Sequence, residues 1–298
     1  MGLSDSDLPP LYQAADTSST EAQAHFFAAT RFRLYGLTGA ALFGLFTWRY
    51  GASPVDWSGV LAALCFVMAL VVEGFLYRAK PERTWYEGRA AAESVKTLSW
   101  RYGVGGEPFN VGVHEETYVD NLFLARLESL FDVIKNLDLV PPTSSEAQIT
   151  PRMREARALP LAERRSIYEQ GRVGEQQKWY QANADWNKRF ADRWRGAMLV
   201  LEIAGVVFGV LKAIGAIEGD LLTFSGVVLA ASTAWMQTRQ YRTLATAYTV
   251  TALELASVRS KIANQHTEAE WAKFVNDAEE AFSREHTLWK ASRGVQST

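Results

Sequence analysis

The apolar positions of the chain are gathered into four runs that occur as two pairs. Residues 34–48 and 57–72 carry no charge and are joined by a polar turn, and residues 196–211 and 221–238 form a second pair broken only by Glu202. Each run lies at or slightly below the roughly 18 to 20 apolar residues that span a bilayer as a helix. The pattern predicts two apolar helical hairpins, although run length alone also allows the buried helices of a soluble bundle.

The rest of the chain has the spacing of amphipathic helices and shows no alternating strand pattern. Helices are predicted over 82–102 and 115–135, and aromatic residues ahead of the third apolar run indicate one continuous helix into it. The fourth run is likewise predicted to continue as one helix to about Ala263. Thr267 and Glu270 form a capping box that predicts the start of a last helix.

Together these elements predict an all-α polytopic membrane protein in which two transmembrane hairpins carry a cytoplasmic helical bundle. The predicted order along the chain is an N-terminal cytoplasmic segment, a first hairpin, a cytoplasmic helical region, a second hairpin and C-terminal cytoplasmic helices, over 1–33, 34–77, 78–195, 196–238 and 239–298.

Basic residues are unevenly placed around the two hairpins. Eleven Lys and Arg residues lie within ten residues of the open ends, whereas the two turns hold only Arg49 and Lys212. Because basic loops stay on the cytoplasmic side, the chain is predicted to lie in the cell (inner) membrane with both termini in the cytoplasm and both turns outside. Over the whole chain 31 Lys and Arg oppose 33 Asp and Glu, so nucleic acid is not an expected partner.

Small residues recur at helical spacing inside the apolar runs. In lipid such residues let helix backbones approach closely, either within one subunit or between subunits around a pore, and the pattern leaves both readings open. The residues concerned are Gly36, Ala40, Gly44, Gly205, Gly209, Gly226, Ala230 and Ala234.

Two carboxylates, Glu73 and Glu202, belong to the apolar segments. A carboxylate is costly to bury in a membrane, so each is a functional candidate. Either it lines a pore, or it anchors the helix near the basic end by pairing with Arg78 or Arg195 or by reaching water.

The sequence contains no recognisable catalytic or metal-binding motif. Cys65 is the single cysteine and lies in an apolar run, and the four histidines are scattered. The glycines of 103–106 follow a helix and lack the Lys-Ser/Thr of a phosphate loop, so they predict a turn. The chain is therefore predicted to be a non-enzyme without cofactor or metal.

The two halves share one plan, an apolar hairpin followed by an amphipathic helix, which suggests duplication. A set of residues after each hairpin adds to this plan: Trp85, Arg89, Ala92, Glu93, Lys96, Trp100, Arg101, Tyr102, Tyr241, Leu244, Tyr248, Ala252, Glu254, Trp271, Phe274, Asp277, Ala278, Glu279, Arg284, Glu285, His286 and Trp289. On this plan and on these residues the chain resembles the SLATT family of prokaryotic two-transmembrane proteins.

The resemblance implies a membrane effector of conflict systems, one that forms pores when a partner's nucleotide signal arrives in an infected cell. It also implies family-like cytoplasmic contacts at Trp85, Arg89, Glu93, Trp100, Asp277, Arg284, His286 and Trp289. This chain holds two such modules and no recognisable sensor or synthase, so its expected partners are the bilayer, further copies of itself and an activator in trans. A membrane-anchored interaction module and a small-solute channel are the competing functions.

Overall fold

The structure is a computed structural model that describes residues 3–51, 54–134 and 147–292, with the backbone alone for 131–134 and 283–292. Within these ranges the chain is helical, with one isolated bridge between Arg49 and Asp56. The all-α prediction is confirmed. The helices are α1 Pro10–Phe43, α2 Trp57–Ala79, α3 Pro81–Val104, α4 Glu116–Ile134, α5 Pro151–Arg157, α6 Leu161–Ile167, α7 Glu175–Ala213, α8 Leu221–Arg239, α9 Tyr241–Ile262 and α10 Glu268–Ser292.

The helices form two compact units, each described by itself. The hairpin unit comprises Ala24–Lys80 and Ala182–Thr249. The bundle unit comprises Met1–Gln23, Pro81–Gln181 and Val250–Thr298. Helices α1, α7 and α9 each contribute residues to both units.

In the first hairpin, α1 ends at Phe43, so the apolar run to Trp48 is helical only in part. The remaining residues form a turn that is held by the start of α2. The Asp56 carboxylate accepts hydrogen bonds from the backbone N–H of Trp48 at 2.9 Å and of Ser58 at 3.1 Å. Asp56 therefore caps the N-terminus of α2 and also fixes the turn to that helix.

The second hairpin is built with the same device. Helix α8 is capped by Asp220, whose carboxylate accepts a hydrogen bond from the Thr223 backbone N–H at 3.5 Å. Asp220 also forms an ion pair with Lys212 near the end of α7, at 2.8 Å. Gly215 takes the left-handed backbone conformation, φ +70°, that this turn requires.

Both hairpins also end alike. Lys80 after α2 and Gln240 after α8 have φ of 43° and 51°, and each donates its backbone N–H to the carbonyl four residues earlier. A left-handed residue at this position stops the helix and redirects the chain. The prediction that the fourth run continues to Ala263 without interruption is therefore wrong, since α8 ends at Arg239 and α9 starts at Tyr241.

The apolar residues of α2 and α7 lie largely on the outside of the hairpin unit. Two helical stretches of the described chain, Trp57–Val104 and Leu161–Ala213, contain a window apolar enough to cross a membrane, and these windows are 6% and 0% buried. The core helix of a soluble protein would be mostly buried. The second stretch also confirms a continuous helical path into the third run, through a π-helical turn at Tyr168–Gly174.

The bundle unit has an aromatic core in which α3 packs against α4, α5 and α10. The Tyr168 ring meets Trp100 and Trp271 edge-on, at centroid distances of 5.9 and 5.6 Å. The Trp271 indole N–H donates to the Val104 carbonyl at 2.7 Å. Side chains that are distant in sequence therefore pack into one core.

The last helix of the bundle unit begins as the capping box predicts. The Glu270 carboxylate accepts from the backbone N–H of Thr267 at 3.0 Å, and the Glu270 backbone N–H donates to the Thr267 hydroxyl at 3.2 Å. The glycine-rich stretch after α3 is a turn, also as predicted. Gly105 has φ +77°, and a Cβ there would lie 2.6 Å from the Arg164 guanidinium, so this position needs glycine.

Candidate functional site

The two carboxylates of the apolar segments have different surroundings in the hairpin unit. Glu73 forms an ion pair with Arg33 of α1 at 2.8 Å, not with Arg78. Glu202 is exposed on α7 and forms no ion pair with Arg195 or with any other side chain that the structure describes. The structure thus gives Glu73 a counter-charge within its own hairpin and leaves Glu202 on the outer surface.

The small residues also fall into distinct groups. A Cβ on Gly36 would lie 2.9 Å from the Cys65 carbonyl, so α1 and α2 approach closely there. Gly205 and Gly209 face α8 at ordinary contact distance. Gly226 has nothing within 4 Å of its Cβ position, and Ala230 one turn further along α8 is also exposed. Gly44 lies beyond the end of α1, in the turn.

Arg239, the last residue of α8, lies in a cage of aromatic rings. Its guanidinium carbon is 4.2 Å from the ring centre of Phe27, 5.1 Å from that of Tyr241 and 5.8 Å from those of Trp186 and Trp235. Its Nε also donates to the Tyr241 hydroxyl at 3.1 Å. The cage draws rings from α1, α7, α8 and α9, and cation–π contacts of this kind stabilise by about 0.5 to 2 kcal/mol each.

Two further arginines extend this arrangement. Arg31 lies 5.9 Å from the Trp235 ring centre, and Arg193 lies 5.7 Å from that of Phe190. We call these three arginines and their rings the arginine–aromatic collar, formed by Phe27, Arg31, Trp186, Phe190, Arg193, Trp235, Arg239 and Tyr241. In the sequence the three arginines belong to the basic flanks of the hairpins, but their convergence with these rings depends on packing between distant helices.

A buried ion pair lies at the centre of the bundle unit. Arg172 and Glu279 are 1% and 0% exposed and are joined by two hydrogen bonds, from Nε at 2.9 Å and from Nη2 at 2.7 Å. The Tyr168 and Thr97 hydroxyls donate to the same carboxylate, each at 2.9 Å. The carboxylate is fully surrounded by donors, as a buried charge requires.

The titration behaviour of this network follows from its burial. Burial opposes the charge on Arg172, but the neighbouring Glu279 outweighs it, so the pKa of Arg172 is raised. Burial and, second, the Glu279 charge raise the pKa of Tyr168 well above its ordinary value. Tyr168 therefore stays a neutral hydroxyl donor throughout the physiological range.

Two of the family-like residues, Trp85 and Trp100, are buried in this unit. Trp85 is buried and stacks on Tyr86, and Trp100 is buried with an indole N–H that has no hydrogen-bond partner among the described residues. Asp277 lies exposed on α10. The side chains of Arg284, His286 and Trp289 lie outside the described residues.

Arg89 and Glu93 line a cavity of roughly 250 Å³ within the bundle unit. Arg89 forms ion pairs with Glu93 at 2.7 Å and with Asp16 at 3.3 Å, so one arginine faces two carboxylates in the cavity wall. Burial raises the pKa of Asp16, and Arg89 partly counters this. Trp179 and Tyr180 also line the cavity.

Each half of the chain matches the model of a known protein family. Residues 9–165, more than half of the chain, match the model described as SMODS and SLOG-associating 2TM effector domain 3. Residues 168–289 match SMODS and SLOG-associating 2TM effector domain 1. The chain belongs to the SLATT family. Searches of curated proteins and of solved structures find no match.

The two SLATT domains meet in the bundle unit. Thr97 belongs to the first domain, whereas Tyr168, Arg172 and Glu279 belong to the second, so the buried network joins the two. The boundary between the domain matches lies just before the π-helical turn Tyr168–Gly174. The predicted double SLATT module is thereby confirmed, and the chain is of membrane type.

Proposed function

We propose that this SLATT protein is an oligomeric effector of a prokaryotic anti-phage conflict system that permeabilises or depolarises the cell (inner) membrane. In this proposal the chain crosses the membrane four times, keeps both termini in the cytoplasm and acts without enzymatic chemistry. The observation that carries it is the outward-facing apolar surface of the hairpin unit in a chain with two 2TM effector domains.

Two features of the hairpin unit support assembly into a pore. Gly226 and Ala230 present a small-residue face on α8 that no other described helix covers, and such a face favours close packing with another copy. Glu202 adds an exposed carboxylate on α7 without an ion-pair partner in the described chain. A pore needs polar groups of this kind at membrane depth.

The activating signal is proposed to come from another protein. Both domain descriptions name association with SMODS and SLOG proteins. A sensor or nucleotide-synthesising protein acting in trans would supply the signal that this chain lacks in recognisable form.

The second candidate is a membrane-anchored interaction module without pore activity. The Arg33–Glu73 ion pair favours it, because this pairing gives the Glu73 carboxylate a structural role in holding α1 to α2. In that case the spans only hold the bundle unit at the membrane.

Membrane potential in cells that overexpress the protein separates the two candidates. We expect a potential-sensitive dye to report depolarisation with the wild type and a weaker effect with Glu202→Ala at an equal amount of membrane-bound protein. Glu115→Ala, the same change at an exposed site outside the apolar runs, serves as the matched control and should behave as the wild type. An unchanged membrane potential with the wild-type protein in the membrane would contradict the pore proposal. Only the membrane-anchored interaction module would then remain.

A further inference from the structure

The charges of the arginine–aromatic collar are unbalanced. Arg31, Arg193 and Arg239 each lie within 6 Å of an aromatic ring centre, at 5.9, 5.7 and 4.2 Å respectively. None of the three forms an ion pair with a carboxylate in the part of the chain that the structure describes. Arg33, by contrast, is satisfied by Glu73 at 2.8 Å.

The collar also brings like charges together. Arg31 and Arg239 lie 5.9 and 5.8 Å from the centre of one indole ring, that of Trp235. When a guanidinium stacks its flat face on an aromatic ring, the N–H groups at the edge of the guanidinium stay free to donate hydrogen bonds. Cations gathered in this way without a carboxylate form a site for an anion with several acceptor oxygens.

All three arginines occupy the same position relative to the apolar runs. Arg31 and Arg193 each stand one helical turn before a run begins, at Leu34 and Gly196, and Arg239 directly follows the run of α8. Trp and Tyr side chains favour the headgroup layer at this depth. If the hairpins span the bilayer, the anion nearest to the collar is a lipid phosphate.

We propose that Arg31, Arg193 and Arg239 bind the phosphate groups of anionic phospholipids at the cytoplasmic membrane surface. Arginine forms paired N–H···O bonds with phosphate, and the Tyr241 hydroxyl holds the Arg239 guanidinium in place through its Nε. The inference rests on the membrane-spanning part of the proposed function. It does not depend on pore formation.

Lipid binding by the full chain purified in detergent tests the proposal. Phosphatidylglycerol is titrated against phosphatidylcholine and inorganic phosphate, and bound lipid is counted by native mass spectrometry. We expect selective binding of phosphatidylglycerol that weakens about fivefold in Arg31→Gln, since an arginine at an anionic surface contributes about a factor of this size. Arg193→Gln should act in the same direction.

Arg33→Gln is the matched control, because Arg33 lies on the same helix, is also exposed and is already paired with Glu73. It should leave lipid selectivity unchanged. Equal affinity for phosphatidylcholine, equal losses in Arg31→Gln and Arg33→Gln, or binding of inorganic phosphate in place of lipid would each overturn the proposal. Recovery of the protein in the soluble fraction would instead refute the membrane-spanning account on which it rests.

Discussion

At the scale of single residues, Glu279 illustrates what the sequence could and could not predict. Like Trp271 and Phe274, it is one of the residues on which the resemblance to the SLATT family rests. Its partner Arg172 carries no signal of its own, since nothing in a helical pattern states which distant helix will lie opposite. The pair forms only in the folded bundle unit, where Arg172 Nη2 and Glu279 Oε2 lie 2.7 Å apart.

Glu279→Gln should strongly destabilise the protein. The amide keeps the size of the side chain but leaves the buried Arg172 charge unbalanced, at a cost of about 3 to 5 kcal/mol. We expect the melting temperature of the purified protein to fall by on the order of 10 °C. Glu280→Gln makes the same change at the exposed neighbouring position and should have little effect. Equal melting temperatures for the two variants would contradict the assigned role of the pair.

At the scale of helices, the two hairpins show which helix ends can be predicted from the sequence. Lys80 precedes Pro81, and a proline disfavours the helical conformation of the residue before it, so the end of α2 is readable. Gln240 has no such neighbour, although it takes the same left-handed conformation. The continuous fourth helix was therefore predicted wrongly, because no residue beside Gln240 marks the break in the sequence.

The glycines of the apolar runs should separate into two classes on replacement by leucine. Gly36→Leu should push α1 and α2 apart and lower the melting temperature, because a side chain there meets the Cys65 backbone. Gly226→Leu should leave the melting temperature nearly unchanged but shift the oligomer distribution in detergent, measured by light scattering after gel filtration. A stable Gly36→Leu protein, or an unaltered oligomer in Gly226→Leu, would contradict the corresponding packing role.

At the scale of the whole molecule, the sequence predicted one cytoplasmic helical bundle but not every segment that belongs to it. The bundle unit also contains the first residues of α1, which the sequence placed in a separate N-terminal segment. Leu8 and Leu11 are buried in that core although the N-terminal segment reads as acidic and polar. Such grouping arises from contacts between distant segments, for which the local pattern holds no information.

Cysteine accessibility in spheroplasts tests the central claim, that both hairpins cross the membrane with their turns outside. In a Cys65→Ala background, single cysteines replace Tyr50 in the first turn, Glu218 in the second turn and Lys273 on α10, all of them exposed. A membrane-impermeant maleimide should label Tyr50→Cys and Glu218→Cys in intact spheroplasts, and Lys273→Cys only after lysis. Labelling of Lys273→Cys before lysis, or of either turn only after it, would contradict the account.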